Sequence, residues 1–376
     1  MAEKLHCTEG APFLDTIETS CTNEFSPNLN DINTFQTSEL ENVYIDLSNF
    51  EYYKKQADNI CSCLFSHAPA FIGGGYVMED NEGNTHYFEK ILSSESPLRN
   101  KAFLIEGCGT RLGFDNEGVL KSANFCRLRI CPMCQRRRAL KVASEFDRIM
   151  KHLDCSWIHL VLTVPNCKDF QLSHLLDTMQ TCSSRLFRLN FVKKAFKGIA
   201  RCTEVSYNSK SDEYHPHFHC LVAVNKSYFT SRDYIQILKL RKYWTVIVNQ
   251  AFIGVNVRAK SDSYFDMLVD DFSDDQIVYQ CHIGKANDKA VAEIAKYCVK
   301  PLELALTGTA LYKPLEVIYY ALHSRRLVQM YGTIAESARE LRVDLDTIED
   351  DADLDNNQLH IYNWDCTRKK YTRMHF

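Results

Sequence analysis

Residues 214–224, Tyr-His-Pro-His-Phe-His-Cys-Leu-Val-Ala-Val, constrain this chain more than any other stretch. Three histidines alternate with other residues and then run into an apolar, β-branched segment. On a strand, side chains two residues apart share a face. A strand here sets His215, His217 and His219 to one side and turns Phe218, Cys220 and Val222 into a core. Imidazoles side by side on a rigid strand make part of a metal site, with a neutral ring nitrogen as donor. The competing reading is a surface strand that happens to carry histidines. One histidine would fit that reading; three in alternation argue for the metal.

The flanking sequence supplies partners for this strand. Ile199 to Tyr207 reads as a strand carrying Glu204, and the polar turn at 208–212 joins the two into an antiparallel hairpin. Glu204 is then either an oxygen ligand beside the histidines or an ordinary hairpin charge. Residues 157–166 read as a buried strand ended by Pro-Asn turn chemistry. Ala139, Val142, Ala143, Phe146, Ile149, Met150 and Leu153 fall at helical spacing and predict an amphipathic helix over 136–153. Further helices are expected at 170–197 and 231–249, and an alternating strand at 252–259. Gly73-Gly74-Gly75 reads as a flexible turn; no Lys-Ser/Thr pair follows it, so it does not match a phosphate-binding loop.

Sixteen cysteines need an explanation of another kind. The chain has no run of 18 apolar residues and no basic-then-apolar leader, so neither a membrane span nor a signal peptide is expected. A cytoplasmic protein with reduced thiols follows from this, and metal ligation is the natural use for clustered cysteines. Cys131 and Cys134 frame a Cys-x-x-Cys knuckle, and Cys108 and Cys126 complete four ligands for a structural Zn²⁺. The alternative is four buried, unliganded thiols. Arg127, Arg129, Arg136, Arg137 and Arg138 surround the knuckle, and their guanidinium groups suit phosphate oxygens, as in a DNA grip.

Net charge is only −4, so any affinity for nucleic acid must come from uneven charge placement. Residues 1–50 hold nine acidic residues and one lysine, which reads as a flexible acidic leader. Residues 51–150 form an N-terminal region with the cysteine knuckle and basic helix, 151–340 the domain with the histidine strand, and 341–376 an acidic loop and C-terminal tail. Within 291–301, Val291, Ile294, Ala295 and Cys298 follow the spacing of a buried helix face. Glu293, Tyr297 and Lys300 take the opposite side, with Lys296 near its edge. Lysine charge favours a phenolate and a nearby glutamate can handle its proton, although helices with such residues are common.

Taken in order, the cysteines, the 159–166 strand, His217-Phe218-His219 with its His215-Pro216 lead-in, and Glu293/Lys296/Tyr297/Lys300 resemble the plasmid rolling-circle replication initiators of the HUH endonuclease superfamily. The resemblance spans roughly residues 100–335, and the 126–134 segment resembles the cysteine-rich region of one branch. It implies an α+β fold, a central antiparallel sheet with flanking helices, in which the tyrosine helix lies against the histidine strand. It implies phosphodiester transfer on origin DNA presented as a single strand or hairpin. His217 and His219, with His215 or Glu204 as third ligand, would hold Mn²⁺ or Mg²⁺. Tyr297 would be the nucleophile, giving a 5′-phosphotyrosine and a free 3′-hydroxyl, with Lys296 and Lys300 stabilising charge. Glu293 would activate water for the cleavage that ends a round. A host helicase and the replication machinery are the implied partners. Two other readings compete: a non-catalytic zinc-knuckle DNA-binding regulator, and a relaxase or transposase of the same superfamily. Relaxases place the tyrosine before the histidines, whereas Tyr297 follows them here.

Overall fold

The histidine strand does lie in an antiparallel hairpin, and that hairpin forms the middle of a larger sheet. The computed structural model describes residues 45–67, 72–79, 85–92, 97–276, 279, 281–286, 309–345 and 359–374. In chain order the described helices are α1 (Ser48–His67), α2 (Pro97–Gly107), α3 (Pro132–His152), α4 (Asp169–Leu186), α5 (Asn190–Ala195), α6 (Ile237–Phe252), α7 (Asp262–Asp270), α8 (Thr309–Leu322) and α9 (Thr333–Glu340). The strands are β1 (Ile72–Glu79), β2 (Thr85–Leu92), β3 (Arg111–Phe114), β4 (Leu120–Ala123), β5 (Ser156–Thr163), β6 (Phe196–Asn208), β7 (Glu213–Val224), β8 (Cys281–Lys285), β9 (Val328–Gly332), β10 (His360–Asp365) and β11 (Lys370–Arg373).

The principal sheet has five strands in the order β8-β5-β7-β6-β9, every neighbouring pair antiparallel. Alternation along β7 sorts its side chains between two cores. Phe218, Cys220, Val222 and Val224 face α4 and α6, together with Leu160, Leu162, Met179, Trp244 and Ile247. Leu221 and Ala223 face α3 and α9, together with Val142, Phe146, Ile149, Ala200, Cys202 and Ile334. Each fully buried aliphatic side chain of this kind contributes roughly 2 kcal/mol relative to exposure. Arg201, 1% exposed, pins β6 to its neighbours: it donates to Ser183 Oγ at 2.5 Å and Gln329 Oε1 at 2.6 Å, and lies over the Phe218 ring.

α9 reaches its place through a glycine. Gly332 has φ +59°, which reverses the chain from β9 directly into α9, and a Cβ there would collide with the Lys197 carbonyl. α9 therefore packs on the sheet face that carries the histidines.

A second sheet, ordered β11-β10-β3-β4, joins the C-terminal hairpin to the segment just before the cysteine knuckle. Here the end of the chain, expected as a tail, forms two strands, β10 and β11. The architecture is α+β with antiparallel sheets flanked by helices, as expected.

Three local expectations are corrected. The strand expected at 252–259 is the end of α6, a turn at Gly254 with φ +84°, and a 3-10 turn at Val257–Ala259. The apparent alternation there comes from Val255 and Val257 plugging the core from a loop. Gly73-Gly74-Gly75 is not a turn: it lies inside β1, opposite Glu89 to Ile91 of β2. The helix expected over 170–197 is broken at 187–189 and gives way to α5 and then β6 from Phe196. Residues 1–44, where most of the acidic leader falls, lie outside the described residues.

Candidate metal centres and DNA-facing residues

The hairpin register decides which groups meet. β6 and β7 pair Glu204 with His217 and Cys202 with His219, so Glu204 sits on the same face as both histidines. His217 Nε2 lies 2.7 Å and His219 Nε2 3.0 Å from the same oxygen, Glu204 Oε2. These three residues form one of the two ligand clusters found among the described residues, with donor atoms all within 4.8 Å of one another.

The outer nitrogens are also committed. His217 Nδ1 contacts the His215 carbonyl oxygen at 3.1 Å, which fixes that nitrogen as the donor and leaves Nε2 for the centre. His219 Nδ1 lies 3.1 Å from His159 Nε2 on β5, and the two rings stack. Burial, then the neighbouring His219 and His282, holds His159 down to about 4, so it is neutral and able to accept from His219 Nδ1–H. Metal-binding histidines are oriented by outer partners of this sort. Glu204 is 6% exposed. Burial works to raise its pKa, but the His217 and His219 rings beside it outweigh that and hold the carboxyl at about 2. The donor set is one carboxylate oxygen and two imidazole nitrogens, which fits a divalent cation.

His215 stands apart from this group. It pairs with Ser206 across the hairpin, two positions beyond Glu204, and its Nδ1 contacts Asn166 Oδ1 at 2.8 Å. Asn166 in turn donates to Glu213 at 3.2 Å. Burial pushes His215 down to about 4. The geometry thus brings together Glu204, His217 and His219 and leaves His215 in an adjoining network. His159, not singled out as a site residue from sequence, joins the centre through the β5–β7 register.

The four cysteines form the other cluster. Cys108 follows α2, Cys126 follows β4, Cys131 is the N-cap of α3 and Cys134 lies in its first turn. Sγ separations are 3.5 Å for Cys108–Cys134, 3.6 Å for Cys126–Cys134 and 3.4 Å for Cys131–Cys108. A tetrahedron with zinc–sulfur bonds of about 2.3 Å has edges of about 3.8 Å, so the thiols need to spread only slightly. Two backbone N–H groups point at the sulfurs, Cys126 to Cys108 at 3.4 Å and Arg127 to Cys134 at 3.1 Å. The second requires Arg127 to take φ +59°, an unusual conformation for a non-glycine residue. Hydrogen bonds from the other three thiols hold Cys126 well below the ordinary thiol range and push Cys108 up. Four cysteine sulfurs in mutual contact make a cluster that can exchange protons for a cation. Gly109, at φ +65°, closes the turn behind it; a Cβ there would meet Met133 Cε at 2.6 Å.

The five arginines divide. Arg136 lies over Tyr53 and Arg137 over Phe125. Arg129 Nη1 donates to the Leu322 and Arg325 carbonyls at 3.2 and 2.7 Å, closing the C-terminal end of α8. Arg138 donates to the Arg127 carbonyl, and Arg127 itself is exposed. Glu293, Lys296, Tyr297 and Lys300 lie outside the described residues.

Among the described residues no helix is long and apolar enough to cross a membrane. No solved structure matches this chain. Known sequences do. A protein from a Bacillus species named Protein rep is 30% identical over 259 residues, covering 65% of this chain and 81% of the relative. Another Protein rep, from Bacillus amyloliquefaciens, is 31% identical over 277 residues, covering 67% of this chain and 78% of its own length. One from Streptococcus pneumoniae is 26% identical, over 71% of this chain and 82% of the relative. A family model described as Replication protein matches residues 117–372. That span takes in both sides of the Glu204–His217–His219 centre and three of the four clustered cysteines, and the chain belongs to this family of replication proteins, the plasmid replication initiators.

Proposed function

We propose that the protein initiates rolling-circle replication of a plasmid by nicking one strand of its origin and later rejoining it, with Tyr297 as nucleophile. The observation that carries this reading is the convergence of Glu204, His217 and His219 on one face of the β6–β7 hairpin in a member of a replication protein family. Mn²⁺ or Mg²⁺ held there would supply Lewis-acid polarisation of the scissile phosphate. The chain's own groups account for the remainder. His159 and the His215 carbonyl keep the two ligating rings in the tautomer that faces Glu204.

The Tyr297 phenol oxygen forms a bond to phosphorus while the bond from phosphorus to the 3′-oxygen breaks. The phenol proton is lost and the departing oxygen gains one, giving a 5′-phosphotyrosine and a 3′-hydroxyl that primes synthesis. The covalent link retains the energy of the broken phosphodiester for rejoining. Lys296 and Lys300 stabilise negative charge on phosphate or phenolate. Glu293 acts as general base for the water that cleaves at termination and is dispensable for the first nick. This chemistry belongs to residues 151–340, the four cysteines hold a structural zinc, and the origin is engaged as a single strand or hairpin. A host helicase and the replication machinery act on the exposed strand in the cytoplasm.

The test is supercoiled plasmid carrying the gene, incubated with protein and Mn²⁺. Open-circle product and protein that stays on DNA through boiling in detergent are expected, and both are lost in Tyr297→Phe. Nicking without any covalent adduct, or an adduct that survives Tyr297→Phe, would overturn the reading.

A further inference from the structure

A cleft of about 570 Å³ lies between the start of α3, β9 and the segment after α9, and it includes Val328, whose partner on β6, Cys202, also pairs with His219. Its polar lining comprises Arg129, Gln135, Arg138, Arg326 and Asp344. We infer that this cleft seats a backbone phosphate of single-stranded DNA adjacent to the strand position held at the metal centre. The inference rests on the nicking reading for the identity of that strand, but its charge and geometry stand independently.

Register places the cleft. β6 and β9 pair Cys202 with Val328, and Thr203 N–H donates to the Leu327 carbonyl at 2.8 Å. Arg326, the residue before Leu327, lines the cleft. Arg326 is exposed and makes no hydrogen bond or ion pair among the described residues.

Two polar groups of the cleft have no hydrogen-bond partner among the described residues: Arg138 Nη1, which is buried, and Oε1 of Gln135, a residue 8% exposed. A buried guanidinium nitrogen with no acceptor is costly, and an anionic oxygen relieves that cost. Three guanidinium groups face one carboxylate, and that carboxylate, Asp344, is already 3.8 Å from Lys141 Nζ. The excess is cationic, and planar guanidinium forks match the paired oxygens of a phosphodiester. The volume is many times the roughly 30 Å³ share of a water molecule, so a phosphate can enter with part of its sugar.

The experiment is binding of a fluorescent oligothymidylate across a range of KCl concentrations, with no divalent cation added. Leaving out the cation removes the metal centre from the measurement, so a failure of the nicking reading leaves this result intact. Each phosphate contact contributes about 0.7 to the slope of log K against log salt for a single strand. Arg326→Gln should lower the magnitude of the slope by about that amount, and Arg138→Gln by a similar amount. Lys226→Gln, beyond the far end of β7, should leave it unchanged. Arg326→Gln is the deciding variant should Arg138→Gln lose its fold, because Arg326 is exposed and makes no hydrogen bond or ion pair among the described residues. A wild-type slope in Arg326→Gln, or no oligothymidylate binding by wild type at low salt, overturns the inference. So does thermal stabilisation by inorganic phosphate that Arg326→Gln abolishes while the slope stays constant, since the cleft would then take a free anion.

Discussion

The four-cysteine group and the Glu204–His217–His219 group are both convergent ligand sets, yet they are assembled in opposite ways. The cysteines come from one short stretch, 108–134, at the ends of local elements: a helix exit, a hairpin exit and the first turn of α3. Four thiols satisfy a tetrahedral ion completely, as structural zinc requires. The other group depends on a strand register, with a carboxylate from β6 against two imidazoles from β7 and outer support from β5. A cation held by these three groups would keep coordination positions open for water or a phosphate oxygen, the arrangement a catalytic ion needs. One cluster is gathered from the ends of local elements, whereas the other is displayed on the middle strands of the principal sheet.

Breaking the closed centre should have the larger effect. Zinc binding in small structural sites is on the order of 10 kcal/mol. Cys134 Sγ touches two other sulfurs and accepts from Arg127 N–H, so Cys134→Ser should reduce zinc from one per chain to none and unfold the region around the N-terminal end of α3. Elemental analysis together with thermal unfolding checks this; full zinc occupancy in the variant would break the comparison.

Glu204→Ala addresses the other centre. Manganese affinity should fall by more than the roughly 100-fold that marks the upper range for outer-partner losses. Zinc content and the unfolding midpoint of the cysteine region should stay at wild-type values. Titration calorimetry with Mn²⁺ measures the first and elemental analysis the second. Loss of both metals would mean that the centres are not separable.

Smaller changes sharpen the ligand set. His159→Ala removes the partner of His219 Nδ1 and should weaken Mn²⁺ by roughly 10–100-fold. His215→Ala should change Mn²⁺ binding by no more than about 0.5 kcal/mol, because His215 is turned to Asn166. If the two variants exchanged magnitudes, the third ligand would be His215 and the hairpin register would need revision.

These contrasts also mark what the amino-acid order could convey. Alternation and local spacing carried the β6–β7 hairpin, the buried β5 strand, the amphipathic α3 and the cysteine set, because each depends on residues close in sequence. Two choices needed distances that sequence does not hold. His159 meets His219 across 60 positions, only because β5 and β7 pair in that register. Glu204 and not His215 closes the centre because Glu204 opposes His217, whereas His215 opposes Ser206. The same holds for the second sheet, where β10 joins β3 across the length of the chain. Glycines misled twice for a local reason. Gly73 to Gly75 lack side chains that would mark a strand, and the turn at Gly254 brings two valines into an alternation that imitates one. Glu293, Lys296, Tyr297 and Lys300 were read by resemblance and spacing, and for them the nicking experiment decides.

The most direct measurement is anomalous diffraction from crystals grown with Mn²⁺, recorded at the zinc and manganese absorption edges. A zinc peak is expected among Cys108, Cys126, Cys131 and Cys134, and a manganese peak bounded by Glu204, His217 and His219 with His215 outside it. Manganese coordinated by His215 in place of Glu204, or a cysteine cluster without zinc, would contradict this expectation.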